Sequence, residues 1–204
     1  MRYLIKTPRL LHSYYRDAVW VLPNSNNEVY LTFDDGPVSN VTDKALAILA
    51  GFNVKATFFC VGGNVTKNPS VYNDLLKAGH GVGNHSYSHL KGWKTINEEY
   101  FSDIDKCQAL VNTKLFRPPY GKIKRSQLKE ISKTHKVIMW SVLSGDFDPK
   151  NSVERICNNV IKNVKAGSII VMHDNEKSGD KMLAALPVII QSLLDSGFVF
   201  NVIK

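Results

Sequence analysis

Five short polar clusters, each following an apolar run, hold the residue types that activate water or grip a cation. The first is Leu31-Thr32-Phe33-Asp34-Asp35-Gly36-Pro37. Two adjacent carboxylates behind an apolar strand repel each other and lose solvation unless a positive charge offsets them. A cation on one of them supplies that offset and leaves the other free to act as a base. Asp, Gly and Pro are also turn formers, so this cluster alone reads equally well as a turn. The second cluster is His85-Ser86-Tyr87-Ser88-His89. Histidines four apart meet on one face of a helical turn, close enough to share an ion. Two imidazoles and a carboxylate form a facial set that leaves positions open for water and substrate. An isolated pair of this spacing is usually two ordinary polar histidines, and the acidic cluster tips the balance toward a metal.

The third cluster, Phe116-Arg117-Pro118-Pro119-Tyr120-Gly121, fixes its backbone with successive prolines. Arg117 can fork onto a carboxylate, and the rigid turn can aim the Tyr120 backbone N–H at a developing oxyanion. The fourth runs from Trp140 to Asp148 and contains Leu143, Asp146 and Phe147. The fifth, Ile169-Ile170-Val171-Met172-His173-Asp174, ends an apolar strand on a histidine. Imidazole titrates near neutrality, so general acid is a natural role there, against the commoner one of a satisfied buried histidine. His12, His80 and His135 have no comparable setting and receive no role.

The elements that must position these residues alternate along the chain. Strands are expected at 29–33, 56–60, 81–84, 115–117, 137–140, 168–172 and 198–203. Helical patterns fall at 41–50, 69–78, 97–111, 126–133, 153–165 and 182–196, and Ile156, Val160, Ile161 and Val164 share one helical stripe. Strand–helix alternation over a whole chain implies a parallel sheet, open or closed into a barrel, with function at the carboxyl ends of its strands. All five clusters lie at such ends.

Bulk properties fit one α/β domain: 204 residues, 44% hydrophobic and 22% charged. Residues 29–204 read as that domain, preceded by a leader, 1–28, packed on its surface. Lys6, Arg9 and Arg16 interrupt any apolar core in the leader, so no secretory signal is expected and a cytoplasmic location follows by default. Contact of this basic leader with an anionic membrane is a lesser alternative. No stretch approaches the ~20 apolar residues of a membrane span. Cys60, Cys107 and Cys157 are scattered and odd in number, which suits reduced core thiols rather than a disulfide framework. The formal charge of +8 comes from dispersed lysines, without a basic helix or aromatic signature for nucleic acid, so no nucleic-acid partner is expected.

Taken in order, TFDDGP, HSYSH, RPPYG, WSVLSGDFD and IIVMHD resemble the motifs of the polysaccharide deacetylase family, the fourth family of carbohydrate esterases, and the likeness runs from Val29 to Lys204. That resemblance implies a distorted (β/α) barrel, commonly of seven strands. It implies removal of N-acetyl groups from an amino-sugar polymer or oligomer of peptidoglycan or chitin type. Asp35, His85 and His89 map onto the family's metal triad, usually with zinc and with Co²⁺, Ni²⁺ or Mn²⁺ as alternatives. Asp34 maps onto the base, His173 onto the acid, Arg117 onto the residue that orients the base, and Tyr120 onto the oxyanion donor. Asp146, Phe147 and Pro119 fall at substrate or support positions.

One departure stands out. Leu143 occupies a position usually held by an acid, and Phe147 replaces a tryptophan, keeping the aromatic wall without the indole N–H. Asp146 or Asp174 is expected to take over support of His173. The departure motivates a second reading, a catalytically silent glycan-binding protein on the same scaffold; an O-acetyl, xylan-type esterase is a third. Trp93, Trp140, Tyr120 and Phe147 are either sugar-stacking surfaces or ordinary core aromatics.

Overall fold

The computed structural model describes residues 3–23 and 26–204; residues 1, 2, 24 and 25 of the leader lie outside the described residues. Among the described residues nine short strands form one parallel sheet: β1 (Ala18–Val19), β2 (Glu28–Asp34), β3 (Thr57–Cys60), β4 (Gly81–Asn84), β5 (Leu115–Phe116), β6 (Lys136–Ile138), β7 (Val142–Leu143), β8 (Ile169–His173) and β9 (Val199–Phe200). Their order is β1-β6-β5-β4-β3-β2-β8-β7, with β9 beside β2. Each of the seven expected runs contains a strand. β1 and β7 are additions, two residues each, too short to show any alternation.

The sheet curls because its strands face two different environments. Side chains alternate along β2, so Tyr30, Thr32 and Asp34 share one face while Leu31 and Phe33 share the other. Tyr30 packs in one buried cluster with Phe59, Leu115, Ile138 and Ile169. Those residues come from β3, β5, β6 and β8; β6 and β8 stand five places apart in strand order, and Ile138 and Ile169 meet because the sheet wraps around the cluster into a distorted (β/α) barrel. Leu31 and Phe33 instead join the outer layer under the helices, with Ala45, Leu49, Met182 and Ile189. Asp34 therefore ends β2 pointing into the barrel.

Eight helices accompany the strands among the described residues: α1 (Arg9–Tyr14), α2 (Thr42–Gly51), α3 (Gly62–Lys67), α4 (Pro69–Lys77), α5 (Asn97–Val111), α6 (Arg125–Ile131), α7 (Val153–Ile161) and α8 (Gly179–Asp195). The six expected helices are present. α1 and α3 have six residues each, under two turns, and carry no readable period. On α7 the stripe is buried as Ile156, Cys157 and Val160, and Ser152 caps the helix by accepting a hydrogen bond from the Arg155 N–H at 3.2 Å. All three cysteines are free and buried. No helix among the described residues is long and apolar enough to cross a membrane.

The leader runs along the sheet's open side. Ile5 accepts a hydrogen bond from the Leu143 N–H at 2.8 Å, and Lys6 bridges Val142 in antiparallel fashion. Farther on, β1 pairs in parallel with β6, Ala18 opposite Val137 and Val19 opposite Ile138.

Candidate active site

Strand register brings the clusters together. Asp34 is opposite His173 across β2 and β8, and Asn84 is opposite Phe116 across β4 and β5. The residues that follow those strand ends, Asp35, His85 and Arg117, therefore gather at one mouth of the barrel.

Asp35 directly follows β2 with φ +85°, a left-handed conformation that turns the chain out of the strand. Its Oδ1 lies 3.0 Å from His89 Nε2 and 3.5 Å from His85 Nε2. The three ligand atoms all fall within 4.8 Å of one another, a spacing that one divalent cation spans. The donor chemistry fits as well. The Arg117 carbonyl can only accept, so His85 Nδ1, 2.8 Å away, is its donor and Nε2 is left bare for a metal. Asn175 donates to the other Asp35 oxygen, Oδ2, at 2.6 Å, and Asn64 donates to the Asp35 carbonyl at 2.7 Å. Burial alone would raise the Asp35 carboxyl, but the imidazoles of His85 and His89 beside it and the charge of His173 hold it well below the usual carboxylate range. It stays ionised and ready to ligate.

The two histidines do not sit on a helical turn as their spacing suggests. Residues 85–89 form an irregular loop in which Ser86 and His89 have positive φ, +61° and +57°. The loop outcompetes the helix because its N–H groups find side-chain partners. Asn84 Oδ1 accepts from Ser86 N, and Asp103 Oδ2 accepts from both Tyr87 N and Ser88 N at 3.0 and 2.9 Å. The left-handed turn at His89 then swings its ring back toward Asp35.

Asp34, 4% exposed, is held by Arg117, which is fully buried. Arg117 Nη1 donates to Asp34 Oδ1 at 2.6 Å and to Thr32 Oγ1 at 2.7 Å. Its Nε and Nη2 donate to the carbonyls of Ile138 and Met139, and its guanidinium lies 4.0 Å from the centre of the Phe59 ring. Four of the five N–H donors of the fork are occupied, so the orientation of the Asp34 carboxylate is set by the barrel interior.

His173 ends β8. Its Nδ1 pairs with Asp146 Oδ1 at 2.8 Å, and its backbone N–H donates to Asp146 Oδ2 at 2.7 Å. Ser144 Oγ donates to the same carboxylate. Burial favours the neutral ring, but the Asp146 charge and hydrogen bond outweigh it, and the pKa is pushed up to about 9. Asp174 takes no part in this support. It accepts from Gly36 N and Thr42 Oγ1, pinning the loop after β2. Leu143 is buried in β7 opposite Val171, so the position lacking an acid serves the sheet.

Tyr120 follows the buried Pro119 in a left-handed turn, φ +61°, and its backbone N–H finds no acceptor among the described residues. The Tyr120 ring lies 4.5 Å from that of His89 and is about half exposed, as is Trp93. Phe147 stands edge-on to His173 at 5.2 Å and is backed by Tyr3 of the leader at 4.9 Å. A groove of about 560 Å³ opens beside the triad, lined by Asp35, His89, Asn64, Thr66, Lys67 and Tyr87 among others. It is large enough for a sugar residue.

Four supporting residues escaped the sequence reading: Asn175, Asp103, Asn64 and Tyr3. Only Asp103 had a signal, a carboxylate on the apolar stripe of α5 between Tyr100 and Cys107. The three unassigned histidines are structural. His80 Nδ1 accepts from Ala56 N, His12 stacks on Trp20 and His135 pairs with Thr134 and Gln108. Replacing Asn175 with Ala is expected to weaken divalent-metal binding roughly 10- to 100-fold, because Asp35 Oδ2 loses the donor that fixes it. Competition titration against a chromophoric chelator reads this; parent-like affinity would remove Asn175 from the support of the site.

Residues 22–137 match the family model described as polysaccharide deacetylase. A peptidoglycan-N-acetylglucosamine deacetylase of Bacillus cereus is 34% identical over 190 residues, covering 90% of this chain and 89% of that protein. One from Listeria monocytogenes is 36% identical over 86% of this chain, which spans only 38% of the longer relative. The crystal structure of the Bc1960 peptidoglycan N-acetylglucosamine deacetylase, in complex with 4-naphthalen-1-yl-N-oxidanyl-benzamide, superposes with a TM-score of 0.89 at 35% identity, covering 97% of this chain and 95% of that one.

Proposed function

Because the chain belongs to the polysaccharide deacetylase family, whose deacetylases are metal-dependent hydrolases, we propose that it hydrolyses the N-acetyl amide of N-acetylglucosamine units in a peptidoglycan- or chitin-type glycan. The observation that carries this reading is the pairing of a held carboxylate with a held imidazole. Asp34 and His173 end adjacent strands in register, beside three residues disposed to share a cation.

Asp35, His85 and His89 would hold the ion, with zinc proposed for its match to two nitrogens and one carboxylate oxygen. Bound there, it supplies Lewis acidity that polarises the amide carbonyl and makes water easier to deprotonate. Asp34, oriented by Arg117, takes a proton from the attacking water. The Tyr120 N–H donates to the oxygen that gains negative charge. His173, kept protonated by Asp146, gives its proton to the departing amine. Acetate and a free amino sugar leave. Tyr120, half exposed beside His89, offers an aromatic surface near the triad against which the sugar can pack.

The motive for a silent glycan binder, the missing acid at Leu143, loses its force because Asp146 itself grips His173. Acetate release from N-acetylated chitooligosaccharides and peptidoglycan fragments, with chelated and zinc-restored protein, tests the proposal. No release across that panel would defeat it. O-acetylated xylan run in parallel separates amide from ester hydrolysis.

Replacing Asp146 with Asn should move the alkaline limb of the pH–rate profile to lower pH. The raised pKa of His173 keeps the ring protonated up to about pH 9, and the donor is lost as pH rises through that value. Without the carboxylate the proton leaves earlier. An unmoved limb would assign it to another group.

A further inference from the structure

The leader concentrates exposed apolar side chains. Leu4, Leu10, Leu11, Tyr14 and Val21 are five of the thirteen large hydrophobic residues exposed among the described residues, yet 3–23 is about a tenth of the chain. α1 has no buried residue at all. Leu10, 81% exposed, and Tyr14, 55% exposed, are four apart and share a helix face, with Leu11 beside them. A contiguous apolar ridge rimmed by polar groups marks a surface that meets something.

The rim is cationic. Lys6, Arg9 and Arg16 are exposed around the ridge. The Arg125 guanidinium sits 5.2 Å from the centre of the Tyr14 ring. Next to Tyr14 lies a hollow of about 240 Å³ whose charged lining is Arg16, Arg125 and Lys129 against the single carboxylate of Asp17. No acid pairs with these cations within salt-bridge distance among the described residues. A second copy of the chain would bring the same cations and a net charge of +8 to the contact, so self-association is opposed by charge.

We propose that α1 and the neighbouring hollow form a docking surface for an anionic phospholipid bilayer. Leu10, Leu11 and Tyr14 enter the boundary between headgroups and acyl chains, the depth at which such side chains settle. Arg16, Arg125 and Lys129 take the headgroup phosphates; guanidinium matches phosphate geometry with two parallel hydrogen bonds. Each Lys or Arg near an anionic membrane strengthens partition roughly fivefold, and the few apolar side chains add enough for reversible attachment.

The test is co-sedimentation of the full chain with vesicles of phosphatidylcholine alone or containing about one-third phosphatidylglycerol. The expected result is binding to the anionic vesicles at least about tenfold tighter than to the neutral ones, weakening as salt is raised. Leu10→Ser/Tyr14→Ser and Arg9→Gln/Arg16→Gln should each lower anionic binding about tenfold or more, with thermal melting close to that of the parent. Equal binding to both vesicle types, no binding to either, or variants that sediment like the parent would overturn the proposal. So would a Leu10→Ser/Tyr14→Ser variant that loses self-association or a protein partner while its vesicle binding is unaltered. None of these readouts depends on acetate release, so this inference and the deacetylase reading fail separately.

Discussion

Asp34→Asn lowers kcat/KM for acetate release by about a thousandfold while zinc affinity stays within a few-fold of the parent; that is the expected result if Asp34 is the proton acceptor. General-base catalysis by a positioned carboxylate contributes roughly 10²- to 10⁴-fold. The Asn side chain keeps an oxygen for Arg117 Nη1, now 2.6 Å from Asp34 Oδ1, but an amide accepts no proton at working pH. The substitution also leaves the Arg117 charge buried without its counter-ion. Breaking such a pair costs roughly 3–5 kcal/mol, and the retained hydrogen bond puts the loss at the lower end. Rate assays, zinc titration and thermal melting on one preparation separate these effects. An Asp34→Asn protein that turns over at the parental rate would show that the base lies elsewhere.

His85→Ala has the second large effect: zinc affinity falls by more than about a hundredfold and acetate release drops to background. In the proposed site one of three protein ligands is lost from a set that already leaves positions open to solvent, so little would remain to hold the ion. His85 is 1% exposed and its Nδ1 donates to the Arg117 carbonyl, so the variant also frees the turn that carries Tyr120. His89→Ala serves as the comparison. His89 is more exposed and makes no such backbone contact, so its removal should match the metal loss with less destabilisation. Metal content after dialysis and acetate release read both variants. Full zinc occupancy in His85→Ala would remove that imidazole from the triad.

The chemistry was more legible than the shape that delivers it. Asp34, Asp35, His85, Arg117 and His173 each stand at or just beyond the end of an apolar run, and parallel strands bring such ends to one rim. Spacing alone reached that far. It failed at His85–His89, where helical periodicity is overridden by Asp103, sixteen residues from Tyr87 and contributed by a different element. It left open which acid makes up for Leu143, because whether Asp146 or Asp174 serves His173 depends on how β8 sits against β7. Asn175 could not be found, since a lone asparagine after His-Asp has no pattern; only the folded chain brings it 2.6 Å from Asp35. β1 was illegible for a related reason, as its two residues are held by β6 rather than by any local preference.

The path of the leader bears on how the protein avoids sticking to itself. Apart from the leader's own β1, the sheet runs from β6 to β7; β1 pairs with β6, and Ile5 and Lys6 meet β7. One stretch of chain thus covers both borders, occupying backbone groups that would otherwise template a neighbouring molecule. If that strap were pulled away, two bare strand edges would stand open to intermolecular pairing, and aggregation would set in while the barrel behind them was still folded.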